Sequence, residues 1–139
     1  MSNCDFLGPV DSYNIHKIYS ECHIGLSPAI FDPCPNSVVE MMACGLPVIT
    51  CAESGASELI GIPKLCISEN LKLDFLEFQT IEKLPKIDIG KWIEVIMEII
   101  ENYKEFQNKI QEQVENRLDI RVVASKYENF IKSNLETKN

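Results

Sequence analysis

The feature that most constrains the fold is the regular alternation of short apolar runs with segments of helical period over the first half of the chain. The candidate strands are residues 4–10, 23–30, 47–51 and 64–68. Helical patterns near residues 12–22 and 36–45, and a helical turn within residues 52–61, separate these runs. Because each parallel strand needs a crossover connection, the alternation predicts an α/β fold, with a parallel sheet flanked by helices.

The second half of the chain has a different pattern. From Gly90 to Val114, apolar residues recur every three or four positions, which predicts one long amphipathic helix, and a second helix follows at residues 120–135. The first of these stripes is more typical of a helix that covers the sheet or a partner domain than of a coiled-coil seam. We therefore expect one domain over residues 1–139. Its parts are a sheet and site region at 1–68, an irregular segment at 69–88, and two long C-terminal helices at 89–137.

Composition excludes several classes of protein. A net charge of −8 and a pI near 4.7 argue against nucleic-acid binding, which needs concentrated Lys and Arg. No run approaches the roughly 20 apolar residues of a membrane span, and the N-terminus lacks the features of a signal peptide, so the sequence predicts a cytoplasmic protein. The six cysteines show no metal-binding spacing and are expected to be reduced and mostly buried.

Ligands of open parallel sheets bind beyond the carboxyl ends of the strands, which directs attention to the loops after residues 30 and 51. The first loop enters a short helix that Asn36 or Ser37 can cap and that Gly45 can end in a left-handed conformation. The first amides of a helix are unpaired and carry partial positive charge. This helix end is therefore a candidate site for a pyrophosphate.

Two carboxylates flank that helix end. Asp32 lies in the loop before it and Glu40 about one turn inside it, so the pair can address two ends of one ligand. A carboxylate accepts hydrogen bonds from neighbouring sugar hydroxyls, which gives the layout of a nucleotide sugar. Local roles are the alternatives: Glu40 fits a capping box with Ser37, and an Asp before Pro is a common turn residue.

The run FDPCPNSVVEMMACGLPVIT at residues 31–50, followed by SGASELIG at 54–61, resembles the donor-site signature of retaining GT-B glycosyltransferases, especially family four. Flanking segments at residues 6–28 and 114–135 are also similar to that family. The matching positions, in chain order, are Asp32, Glu40, Ala43, Gly45, Pro47, Gly55 and Glu58. The first acidic position is usually Glu in the family.

The resemblance implies a Rossmann-like, partial GT-B C-terminal domain that binds a UDP- or GDP-sugar, with no metal and no cofactor. It places Glu40 on the ribose and Asp32 at the donor sugar. The further donor-binding positions that it implies are Pro35, Asn36, Ser37, Val38, Gly55, Ala56 and Ser57. No catalytic residue is assigned, because the family's Arg and Lys pair belongs upstream of residue 6.

The same resemblance implies partners. The acceptor-binding domain is missing from the chain, so the expected partners are a nucleotide sugar and an N-terminal acceptor domain or upstream chain, through which the protein would reach the membrane surface. An exposed edge of the sheet predicts a homo-oligomer. The chain alone is expected to be inactive, and the alternative function is that of a non-catalytic binding or regulatory subunit of a split glycosyltransferase.

Overall fold

A computed structural model describes residues 3–30, 32–69 and 87–136. Within these ranges the fold contains six α-helices and three strands. The helices are α1 (Ile15–Glu21), α2 (Asn36–Ala43), α3 (Ala56–Ile60), α4 (Ile89–Glu101), α5 (Tyr103–Gln113) and α6 (Ile120–Glu136). The strands are β1 (Gly25–Ser27), β2 (Val48–Cys51) and β3 (Cys66–Ile67), and a 3-10 turn covers Pro63–Leu65.

The three strands form a parallel sheet in the order β1, β2, β3, which confirms the predicted α/β class. Leu26 pairs with Ile49, and Thr50 pairs with Cys66. The crossover helices α2 and α3 contact each other as well as β2, so they share one face of the sheet. All four residues of β2 are fully buried, as expected for a central parallel strand, and the hydroxyl of its one polar residue, Thr50, donates to the carbonyl oxygen of Ser27 (2.9 Å).

The prediction of a strand at residues 4–10 is wrong. This segment has no regular secondary structure and pairs with no strand of the described chain. Gly8 has a φ of 68°, a left-handed conformation that extended strands do not contain, and Pro9 has no N–H group to donate to a ladder. Phe6 is 96% exposed, so its apolar side chain contributes nothing to the core.

The long amphipathic helix predicted from Gly90 to Val114 is divided at Asn102 into α4 and α5, so three helices stand where two were expected. Asn102 has a φ of −122°, outside helical geometry, and its side-chain amide donates to the carbonyl oxygen of Glu98 (3.1 Å). Such side-chain bonds compete with the helical pattern. The apolar stripe still packs on the core, as Ile99 and Ile110 are both 0% exposed, and this confirms its covering role.

The ends of α2 agree with the sequence in part. Pro35 occupies the N-cap position and no side chain caps the helix, so the prediction that Asn36 or Ser37 caps it is wrong. At the other end, Gly45 has a φ of 81° and donates to Met42, while Leu46 donates to Met41. These two hydrogen bonds form a Schellman motif, and the predicted left-handed glycine end is confirmed.

A π-helical turn (Val114–Leu118) joins α5 to α6 and anchors this region to α3. Arg117 donates to the carbonyl oxygen of Glu58 (2.8 Å), one of the free carbonyls at the end of α3. Gly61 ends α3 with a φ of 62°, a left-handed conformation that favours glycine where the two elements meet. Of the segment predicted to be irregular, residues 70–86 lie outside the described residues.

The cysteines are less buried than predicted. The six cysteines all lie in the described ranges and form no disulfide, but only Cys51 is buried, while Cys4, Cys22 and Cys34 are exposed. The apolar runs that suggested burial for the exposed three belong to loops and the end of α1. In the described ranges, no helix combines the length and the apolar character that a membrane span requires.

Candidate functional site

The loops after β1 and β2 lie side by side, because the two strands are parallel neighbours and end at the same edge of the sheet. We call residues 32–35 the acidic loop and residues 52–55 the glycine turn. The acidic loop leads into α2 and the glycine turn leads into α3. The structure thus brings together the two segments in which the sequence predicted a ligand site.

The acidic loop and the glycine turn are in direct backbone contact. A Cβ added to Gly55 would lie 2.1 Å from the carbonyl oxygen of Pro33 and 2.7 Å from its Cα. The φ of Gly55 is −58°, which any residue can adopt, so the contact with Pro33 is the reason for glycine here. A second link is polar, since the Ser54 hydroxyl donates to the carbonyl oxygen of Asp32 (3.4 Å).

The backbone amides of the predicted donor-binding residues differ in availability. The Val38 amide donates to Pro35, and the Ala56 amide donates to the Ser54 hydroxyl, so both are occupied. Within residues 3–30, 32–69 and 87–136 no acceptor is found for the amides of Asn36, Ser37 and Gly55. These three N–H groups are available for an anion at the edge where the acidic loop meets the glycine turn.

Glu40 lies on the exposed face of α2. Asn36 and Glu40 are four residues apart and therefore neighbours on that face, while Val38 points into the core. No hydrogen bond or ion pair engages the Glu40 carboxylate in the described part of the chain. Because α2 has no side-chain cap, the capping-box alternative for Glu40 is excluded. Its charge is instead felt by Tyr19, whose pKa is raised first by burial and second by Glu40.

Asp32 does form the local turn that was its alternative role. One carboxylate oxygen, Oδ1, accepts a hydrogen bond from the Cys34 amide (3.1 Å), and the side chain is half-buried. This bond fixes the shape of the acidic loop. Binding of a sugar by the Asp32 carboxylate stays a prediction. The turn bond is compatible with sugar binding, since a carboxylate accepts several hydrogen bonds.

Some of the other predicted site residues have buried side chains, and others have side chains exposed to solvent. The side chains of Pro35, Val38 and Ala56 are buried, so these residues can contribute only backbone groups. Asn36 and Ser37 are exposed at the start of α2. The Ser57 hydroxyl donates to the carbonyl oxygen of Ser54 (2.7 Å) and so reinforces the glycine turn from within.

Sequence reasoning missed the network that supports the glycine turn. Glu53 Oε1 accepts from the Ser68 hydroxyl (3.1 Å) and from the Glu69 amide (3.2 Å), which ties the turn to the end of β3. Glu69 has a side chain only 3% exposed and accepts from the Trp92 indole (3.0 Å). The only available signal was the position of Glu53 and Glu69 directly after two strands, because their partners are distant in sequence.

The two loops carry carboxylates and no cationic side chain, and the buried Cys51 at the end of β2 is unreactive. Burial, followed by the charges of Glu53 and Glu69, raises the pKa of Cys51 to about 11, so this thiol stays protonated and donates to the carbonyl oxygen of Pro28 (3.6 Å). The sequence has no Lys or Arg between Lys17 and Lys64. Among the residues that the structure describes, no group of His, Cys, Asp or Glu is arranged to hold a metal ion.

The parallel sheet, the two joined loops and the open helix end define a partial Rossmann-like α/β domain. The sequence profile of one family, described as glycosyl transferases group 1, matches residues 1–77. The chain therefore belongs to the glycosyl transferases group 1, of the GT-B, family-four-like type. Searches of curated proteins and of solved structures found no match. The match ends before α4, so the likeness of residues 114–135 to the family stays a prediction.

Proposed function

We propose that this chain is the donor-binding part of a retaining glycosyltransferase and holds a UDP- or GDP-sugar where the acidic loop meets the glycine turn. The observation that carries the proposal is the exposed Glu40 carboxylate, beside free amides at the start of α2. Family membership supports glycosyl transfer as the reaction. The identity of the donor, the retaining stereochemistry and the roles of single residues belong to the proposal.

The diphosphate would lie at the start of α2. The amides of Asn36 and Ser37 point away from the helix, and the helix dipole adds partial positive charge at the same end. The Gly55 amide, for which no acceptor is found among the described residues, would be a third donor from the second loop. Because no cationic side chain occurs between Lys17 and Lys64, these backbone groups would provide the chain's own contribution to phosphate binding.

The nucleoside would lie along α2 towards Glu40. One turn of helix separates Asn36 from Glu40, a rise of about 6 Å, comparable to the distance from a phosphate to the ribose hydroxyls of the same nucleotide. A free carboxylate accepts hydrogen bonds from both hydroxyls of a ribose. Asp32, on the opposite side of the helix end, would then face the transferred sugar.

Transfer itself needs positive charge, and the acidic loop and the glycine turn contain no Lys or Arg. Departure of a nucleoside diphosphate is assisted by cations aimed at the developing negative charge. Lys91, a cation near the glycine-turn network, donates to the carbonyl oxygen of Ser68 (2.8 Å) and lies 3.9 Å from Glu69, so it is already engaged. We therefore propose that the chain binds the donor but depends on a further domain, with basic residues and an acceptor site, for turnover.

Isothermal titration with UDP-glucose and GDP-mannose tests donor binding directly. We expect one of the two to bind one site per chain, with a Kd in the range of about 10 µM to 1 mM and no change on adding EDTA, since backbone amides rather than a metal hold the phosphates. The same titration with free glucose is the control and should give no heat of binding. Absence of binding by both nucleotide sugars and by the free diphosphates at millimolar concentration contradicts the proposal.

The second candidate function, a non-catalytic subunit of a split glycosyltransferase, is favoured by one observation, the lack of a free cation among the described site residues. Mixing the chain with a separately produced GT-B N-terminal half distinguishes the two. Turnover of the bound donor in the mixture supports a catalytic donor domain. Donor binding without turnover by any such pair supports the non-catalytic subunit.

We also propose self-association through β1. This strand has a neighbour on one side only among the described residues, and Leu26 on it is 52% exposed. Leu26 borders a groove of about 670 Å³ against α4, whose Ile93 is also exposed. Light scattering should give the mass of a dimer, and Leu26→Lys should shift the population to monomer. A monomer at high wild-type concentration contradicts this proposal.

A further inference from the structure

The polar link between the acidic loop and the glycine turn depends on one side chain, Ser54. It is 3% exposed and was not among the predicted site residues. Its hydroxyl forms two bonds, donating to the carbonyl oxygen of Asp32 (3.4 Å) and accepting from the amide of Ala56 (3.2 Å). A single buried hydroxyl therefore connects the loop that carries Asp32 to the first turn of α3.

We infer that Ser54 is a positioning residue of the donor site, which holds the acidic loop against the glycine turn and thereby sets the spacing between the α2 amides and the Gly55 amide. The inference rests on the proposed function for its ligand, a nucleoside-diphosphate sugar. Ser54 itself does not touch that ligand in this account. It acts through Asp32 on one side and through the start of α3 on the other.

The geometry makes this spacing sensitive to Ser54. Gly55 is in backbone contact with Pro33, and this contact limits how closely the loops approach but does not prevent them from separating. The Ser54 bond to Asp32 is the polar contact in the described chain that opposes separation. The internal bonds of the turn, such as that from Ser57 to Ser54, do not reach the acidic loop.

The test compares Ser54→Ala with wild type in two measurements, and uses Ser133→Ala on α6 as the matched control. In the ligand-free protein, amide hydrogen exchange over residues 32–38 should become at least about fivefold faster in Ser54→Ala, with no change in α4 and α5. In titrations, the Kd for the nucleotide sugar should rise about five- to tenfold while Tm changes by less than about 3 °C. Ser54→Cys, which keeps the size and a weak donor, should restore part of the affinity.

Unchanged exchange over residues 32–38 overturns the inference whether or not a ligand binds. Loss of affinity that only parallels a large fall in Tm also overturns it, because Ser54 would then be a general stability residue, and Ser54→Cys decides this if the alanine variant fails to fold. Faster exchange with no nucleotide-sugar binding by wild type shows that the loop link is real. In that case the proposed function fails, and the donor-positioning role of Ser54 fails with it.

Discussion

Replacing Gly55 by alanine should abolish most donor binding, with an increase in Kd of about 100-fold, and lower Tm by roughly 5–10 °C. The added Cβ would stand 2.1 Å from the Pro33 carbonyl oxygen, and all three of its nearest neighbours are backbone atoms of Pro33. Backbone atoms cannot relieve such a clash by rotating about a side-chain bond. The acidic loop must therefore move, and the Asp32 carboxylate and the amides at the start of α2 move with it.

Gly90→Ala is the matched control for that variant. Gly90 lies in the first turn of α4, and a Cβ there would meet only the Asp88 carboxylate, at 3.1 Å, a flexible side chain that can shift slightly and still accept from the residue 90 amide as the helix N-cap. We expect wild-type affinity and an equal or slightly higher Tm for Gly90→Ala, because alanine favours helix. Calorimetric titration and thermal unfolding measure both effects. Wild-type affinity in Gly55→Ala would show that the contact between the loops does not shape the site.

Glu40→Gln should weaken donor binding about 10- to 100-fold without a change in stability. The carboxylate is exposed and engages no hydrogen bond or ion pair in the described chain, so its removal leaves no buried partner unsatisfied. What is lost is a charged acceptor for two ribose hydroxyls, and a neutral amide accepts these bonds less strongly.

Glu112→Gln provides the comparison for Glu40, as Glu112 is an exposed glutamate on α5 and belongs to neither loop nor to α2. It should bind the donor as wild type does. If Glu40→Gln and Glu112→Gln give the same Kd, the ribose-binding role of Glu40 is wrong. A large fall in Tm in Glu40→Gln would likewise contradict the account, since it would show that the carboxylate stabilises α2 rather than a ligand.

Local signals explain why much of the fold was predictable. The buried run Val48–Cys51 is rich in β-branched residues, and Gly45 followed by Pro47 indicates the end of a helix, so β2 and the end of α2 could be assigned from sequence. The prediction of a strand at residues 4–10 failed because a strand needs a neighbouring strand to pair with, and a local residue pattern does not show whether one is present. The prediction of one continuous helix over residues 90–114 failed at Asn102. The apolar period continues there, but the Asn102 side chain donates to the carbonyl oxygen of Glu98, a bond that the period does not reveal.

The candidate site was predictable to a similar degree. Asp32, Glu40 and Gly55 stand at recognisable positions of a family motif, and parallel pairing of β1 with β2 brings their loops together. The contacts that hold the loops could not be predicted. The bond from Ser54 to Asp32 spans 22 positions, and the contact between Gly55 and Pro33 depends on backbone positions that no residue pattern encodes.

The central claim is that a nucleoside diphosphate binds at the start of α2, between the acidic loop and the glycine turn. An NMR titration of ¹⁵N-labelled protein with UDP and GDP tests this most directly, because it reports each amide separately. We expect one of the two nucleotides to shift the amide signals of Asn36, Ser37 and Gly55 together, while signals of α6 stay in place. Saturation by either nucleotide with these three signals unmoved, or with shifts confined to α4–α6, would contradict it.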